Sequence, residues 1–107
     1  MQEISPQDAF EEISSGRALG VDVRESDEWV AGHAEKVTWN PMSAFDMSLI
    51  SDELPTIFIC RSGNRSGQVA SSIAALHPTV SNMTGGMKAW CAAGLPMVSD
   101  NGNPEVA

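Results

Sequence analysis

The sequence predicts one α/β domain with a mainly parallel sheet and helices on both faces. Three observations carry this expectation. A chain of 107 residues, 42% hydrophobic and 19% charged, suits one compact domain with its own core and is short for two. Segments of helical and strand character alternate along it, as in successive βα units. Residues 56–59, Thr-Ile-Phe-Ile, form an unbroken β-branched and aromatic run, the pattern of a central strand covered on both sides.

Each element has a local reason. Ser5, Pro6 and Asp8 read as an N-cap, a first-turn proline and a capping acid, and Ala9, Phe10 and Ile13 then form an apolar stripe that Gly16 ends. Residues 18–23 read as a short strand, apolar apart from Asp22. Ser26, Asp27 and Glu28 cap a brief helix through Trp29 and Val30, which Gly32 stops. Residues 37–39 offer a further strand, and 41–50 a loop with one or two helical turns. After the 56–59 strand and a polar loop, residues 66–76 place Val69, Ile73 and Leu76 on one helical face. That stretch carries no charge, which predicts packing on more than one side. Pro78 closes a turn, residues 79–83 read as another strand, and 86–93 as a last helix with Gly94 at its C-terminal cap. The polar segment from Ser99 reads as a flexible tail.

Composition narrows the function. Six Lys and Arg stand against 14 Asp and Glu, for a net charge of -8, which argues against nucleic acid or an anionic membrane as a partner. No run approaches the roughly 20 apolar residues of a membrane span, and the first residues lack the pattern of a signal peptide, so a cytoplasmic location is the expectation. Cys60 and Cys91 are too few for a disulfide framework, and with His33 and His77 they make no metal site. Neither a metal nor another cofactor is expected. The acids are unevenly spread: none occurs between Glu53 and Asp100, and Arg61 and Arg65 stand inside that gap.

Cys60 follows the strongest strand and precedes a helix, where open α/β sheets place their ligand sites. The loop reads Cys-Arg-Ser-Gly-Asn-Arg over 60–65. Backbone amides curled near a helix start, together with two guanidiniums, favour thiolate over thiol. The same groups suit the oxyanion of a substrate, and Gly63 permits the tight curl. Three cysteine chemistries compete for such a loop. A tyrosine-type phosphatase would place arginine after five intervening residues, at the position where Ser66 stands here. A thiol-disulfide enzyme would show a second cysteine at position 63, which is glycine. The tighter loop suits a small group, such as one extra sulfur atom on the cysteine.

With these residues in place, the chain resembles a single-domain rhodanese, a sulfurtransferase. The resemblance rests on Asp-Val-Arg-Glu at 22–25, Glu-Trp-Val-Ala-Gly-His at 28–33, the 60–65 loop and Gly-Gly-Met-Lys-Ala-Trp-Cys-Ala-Ala-Gly-Leu-Pro at 85–96, in this order. It implies a five-stranded, mainly parallel sheet within a domain spanning 1–98, followed by the flexible tail 99–107. It also implies that Cys60 takes sulfane sulfur from thiosulfate or a similar small sulfur oxyanion, holds it as a persulfide, and passes it to a thiol or cyanide. Arg61, Ser62, Gly63, Asn64 and Arg65 would bind the donor; Asp22 and Arg24, at the end of their strand, read as a structural ion pair, with support of the loop at the pocket mouth as the alternative. A sulfur-accepting protein is a further expected partner, for which the chain would act as a carrier. After Gly32-His33 the chain departs from the family pattern, reading Ala-Glu-Lys-Val-Thr-Trp-Asn-Pro over 34–41, and the role of Trp39 stays open. Cys91, after Trp90, reads as a packing residue, with resolution of a Cys60 persulfide as the alternative. The acids at 25–28 read as a solvated face, His33 as a tie within its turn, and His77 as inert.

Overall fold

The computed structural model describes residues 1–77 and 79–107. In chain order it contains β1 (Gln2–Ile4), α1 (Pro6–Ser14), β2 (Leu19–Asp22), α2 (Ser26–Ala31), β3 (His33–Ala34), β4 (Thr38–Trp39), two 3-10 turns at Met42–Ala44 and Met47–Leu49, β5 (Thr56–Ile59), α3 (Asn64–Ile73), β6 (Val80–Met83), α4 (Gly86–Ala92) and β7 (Met97–Val98). Five strands form one parallel sheet in the order β1-β6-β5-β2-β4, and β3 pairs antiparallel with β7 outside it. The α/β class and the five-stranded parallel sheet are as expected.

Alternation along the strands builds a core on each face. Ile57 and Ile59 of β5 turn toward α1 and α4, where Ala9, Ile13, Met87 and Trp90 enclose them. Phe58 and Cys60 turn the other way, onto Val69, Ala70 and Ile73 of α3. All four residues of β5 are buried, which explains its continuous apolar run. The first helix starts as its sequence dictates: Ser5 Oγ accepts from Asp8 N at 3.1 Å, and Pro6 occupies the first turn.

Two expectations change, and one strand is new. The edge strand β1 was not legible as a strand, because only Ile4 of its three residues is partly buried. The helix expected over 66–76 runs instead from Asn64 to Ile73, takes in Arg65 and packs on one side: it leaves Gln68, Ser71 and Ser72 exposed, and Leu76 falls in the following turn at 73% exposure. Beyond Arg65, serine and glutamine supply its solvated face without charge. Cys91 is exposed rather than packed, because Trp90 takes the inward position of α4. The polar segment from Ser99 lies against the domain. Glu105 N donates to Ala31 O at 3.0 Å, Val106 packs against the core, and Ala107 O accepts from Arg61 Nε at 3.0 Å. Pro78, expected to close the turn before β6, lies outside the described residues.

Candidate active site

The parallel sheet brings the carboxyl ends of β2, β5 and β6 together, and the Cys60 loop springs from the middle one. Gly63 adopts φ +101° and caps α3. A side chain there would be strained in the left-handed region, and its Cβ would stand 3.3 Å from Gly85 N. This turn folds the loop back so that Gly63 N points at its own cysteine, 3.0 Å from Cys60 Sγ. The far side of the loop is held by α4, whose Met87 N donates to Cys60 O at 2.8 Å and Lys88 N to Arg61 O at 3.0 Å.

Cys60 is buried, only 1% exposed. Burial pushes the thiol toward a higher pKa. The Ser66 hydroxyl and the backbone amides of Ser66, Gly63 and Ser62 act against it and prevail, so the thiol titrates below its ordinary value of 9.0. The hydroxyl is 3.2 Å from Sγ. Ser66 thus fills the position where a phosphatase would carry arginine and serves the sulfur instead. Sequence reasoning registered Ser66 only as a missing arginine.

The two loop arginines differ sharply. Arg65 Nη1 and Nη2 each donate at 2.8 Å to the two carboxylate oxygens of Glu28. The Arg65 hydrogen bonds outweigh partial burial and hold Glu28 down to a pKa of about 2, with the backbone amide of Glu25 and the charges of Arg65 and Arg24 adding to the effect. Glu28, read from sequence as part of a solvated face, is the partner that fixes Arg65, so one of the two expected anion-binding guanidiniums is already engaged. Arg61 is exposed, and the only hydrogen bond of its guanidinium among the described residues is to Ala107 O.

Asp22 and Arg24 are both fully buried and form a forked pair, with Arg24 Nε and Nη2 on the carboxylate at 2.9–3.1 Å. Arg24 N also donates to Asp22 Oδ1, and Nη2 reaches Gly32 O at 2.7 Å. These bonds tie the end of β2 to the end of α2, the helix that carries Glu28. Arg24 Nη1 has no partner among the described residues. Trp39 Nε1 donates to Arg24 O at 2.8 Å, so the departure from the family pattern supplies one more brace. His33 stacks on Trp29 with ring centroids 3.4 Å apart, and its Nδ1 lies 2.8 Å from Trp29 O. Ser62 and Asn64 line an open pocket of about 720 Å³ on the outer side of the loop, together with Glu3, Gln68, Asn82 and Thr84.

Asn82 of β6 went unremarked in the sequence. It is 5% exposed and accepts a short hydrogen bond from Ser66 Oγ. Its Nδ2 donates to Gly63 O at 3.0 Å and to the Glu3 carboxylate at 3.1 Å. Glu3 stands opposite Asn82 in the β1–β6 register.

Comparison with known proteins agrees with this architecture. The family pattern of the rhodanese-like domain matches residues 5–93. An uncharacterized protein of Synechocystis is 31% identical over 97% of this chain. The chain spans about half of that relative's length, 55%. Among solved structures, a rhodanese-related protein from Thermoplasma volcanium superposes with a TM-score of 0.83 at 25% identity, over 92% of this chain and 98% of that one. A polysulfide-sulfur transferase from Wolinella succinogenes shares the fold, with a TM-score of 0.73 at 24% identity over 92% of this chain and 79% of its own. Chain-long sequence match, sheet order and cysteine loop coincide, and the chain belongs to the rhodanese-like domain family, a family of sulfurtransferase type.

Proposed function

We propose that the protein is a sulfurtransferase in which Cys60 is the sulfur-carrying nucleophile and thiosulfate, or a similar small sulfur oxyanion, is the donor. The observation that carries this reading is the environment of Cys60 Sγ, a buried sulfur receiving hydrogen bonds from Gly63 N and Ser66 Oγ. The Cys60 thiolate attacks the outer sulfur of thiosulfate. A bond forms between the two sulfurs as the bond to the sulfonate sulfur breaks, and sulfite leaves with that electron pair. The new terminal sulfur carries the negative charge among the loop amides, and a thiolate or cyanide then attacks it, regenerating the Cys60 thiolate. Arg61 attracts the donor, while Arg65 holds the loop through Glu28.

The commitment of Arg65 to Glu28 favours a second reading, a carrier that discharges to a partner protein, because it weakens the site for a free dianion. The pocket outside the loop offers that partner a polar face. Sulfite and thiocyanate release from thiosulfate and cyanide tests the enzyme reading, with turnover expected for the native chain and none for Cys60→Ser. Undiminished turnover in that variant would end the assignment of Cys60. A +32 Da adduct that discharges to a protein thiol but not to cyanide would select the carrier.

A further inference from the structure

Ser66 has one hydroxyl proton and two neighbours that accept it. One is Cys60 Sγ at 3.2 Å, the other Asn82 Oδ1. The identity of the Asn82 atom facing Ser66 is fixed by its surroundings. The other end of the amide meets the Gly63 carbonyl and the Glu3 carboxylate, and both only accept. Nδ2 must face them with its two N–H groups, which leaves Oδ1 toward Ser66. Ser66 is fully buried and Asn82 nearly so, so bulk water supplies no spare donor between them.

We infer that Asn82 is a positioning residue for the sulfur-transfer reaction, offering the Ser66 hydroxyl an alternative acceptor so that this hydroxyl turns toward or away from Cys60 as the charge on Sγ changes. The inference rests on the sulfur-transfer reading above. With Cys60 as a thiol, the S–H donates to Ser66 Oγ and Ser66 donates to Asn82, so every proton has an acceptor. As a thiolate, Sγ draws the Ser66 proton, and Asn82 Oδ1 is left without a donor. When the sulfane sulfur is captured, the negative charge moves to the terminal sulfur and Sγ becomes a poorly accepting bridging atom. The Ser66 proton then returns to Asn82. Asn82 therefore favours the sulfur-loaded state over the empty thiolate. Glu3, opposite Asn82 across β1 and β6, strengthens Oδ1 as an acceptor by polarising the same amide.

The test is the pH profile of Cys60 alkylation by iodoacetamide in the full chain carrying Cys91→Ser, so that one thiol reports. The charged groups on the loop and on the elements that meet it are Arg61, Arg65, Glu28, Asp22, Arg24, Lys88 and Glu3, and all stay unchanged across the variants. Ser66→Ala should raise the titration midpoint by about one pH unit, and Ser66→Thr should restore it. Asn82→Ala should lower the midpoint by about half a unit while Ser66 is present, and this downward shift should vanish in the Ser66→Ala background. Asn82→Leu keeps the side-chain volume and carries the same expectation should the alanine variant fold poorly. Equal shifts with and without Ser66, or none in either, would overturn the inference. A native chain that shows this coupling but never forms a persulfide from thiosulfate would sink the sulfur-transfer reading alone.

Discussion

Glu28 of α2 grips Arg65 of α3 through both carboxylate oxygens, each at 2.8 Å, across 37 residues of sequence. The two loop arginines are consequently not equivalent. Arg65 is a strut between two helices, and Arg61 is the guanidinium at the rim. Arg61→Gln is expected to raise KM for thiosulfate roughly tenfold at low ionic strength and to flatten its salt dependence. Arg65→Gln should lower stability and raise the Cys60 titration midpoint, since Arg65 faces the thiolate charge. Steady-state kinetics over a salt series, paired with urea unfolding, separates the two. An Arg65→Gln protein that is fully stable with only a raised KM would return both arginines to donor binding.

The same pair sets an acid limit. The Arg65 guanidinium holds the Glu28 carboxyl down to about 2 in the folded chain, well below its ordinary value of 4.5. Its folded pKa is depressed, so its stabilisation is complete above about pH 4.5 and fades as pH falls toward 2. Discounted for the exposure of Arg65, the contribution is on the order of 1–2 kcal/mol. Glu28→Gln should melt below the native chain by a constant margin at neutral pH, and the margin should close as the acid range is entered. A margin unchanged at pH 3 would show that the variant acts through packing instead.

Asp22 and Arg24 have no solvent to fall back on, as both side chains are fully buried. Removing one partner strands the other charge and typically costs about 3–5 kcal/mol. Asp22→Ala and Arg24→Met should each show a large loss in urea unfolding. The double variant should recover part of it, because no uncompensated charge remains. Strictly additive losses would contradict the pairing as the source of the effect.

What could be read in advance follows the distance along the chain over which each feature is encoded. Cys60, its glycine turn and both arginines fall within six consecutive residues, and β5 announces itself by a continuous apolar run. Asn82 meets Ser66 across 16 residues and Glu3 across 79, pairings that no local pattern carries. Glu28 looked like any surface acid because its partner lies on another helix. The edge strand β1 is two-thirds exposed residues, so its sequence keeps no alternation to detect. The segment beyond Ser99 reads as polar and turn-rich, and its anchor is a backbone bond from Glu105 to Ala31, which leaves no mark in composition.

Gly86 shows how closely α4 is set against the Cys60 loop. It adopts φ +60°, and a Cβ there would stand 2.6 Å from both the carbonyl carbon and the carbonyl oxygen of Arg61. The obstructing atoms are backbone, and they belong to the loop that Met87 N and Lys88 N pin in place, so no rotamer change relieves the clash. The left-handed φ alone costs a non-glycine residue about 1–2 kcal/mol, and displacement of α4 adds to it. Gly86→Ala should therefore destabilise the fold by about 2–4 kcal/mol. It should also slow Cys60 alkylation at neutral pH, because shifting the loop misaligns Gly63 N from Sγ. Gly94→Ala is the control: it shares a positive φ but meets nothing within 4 Å, so it should cost the backbone strain and leave alkylation unchanged. Equal alkylation rates in both variants would mean that α4 does not set the geometry of the loop.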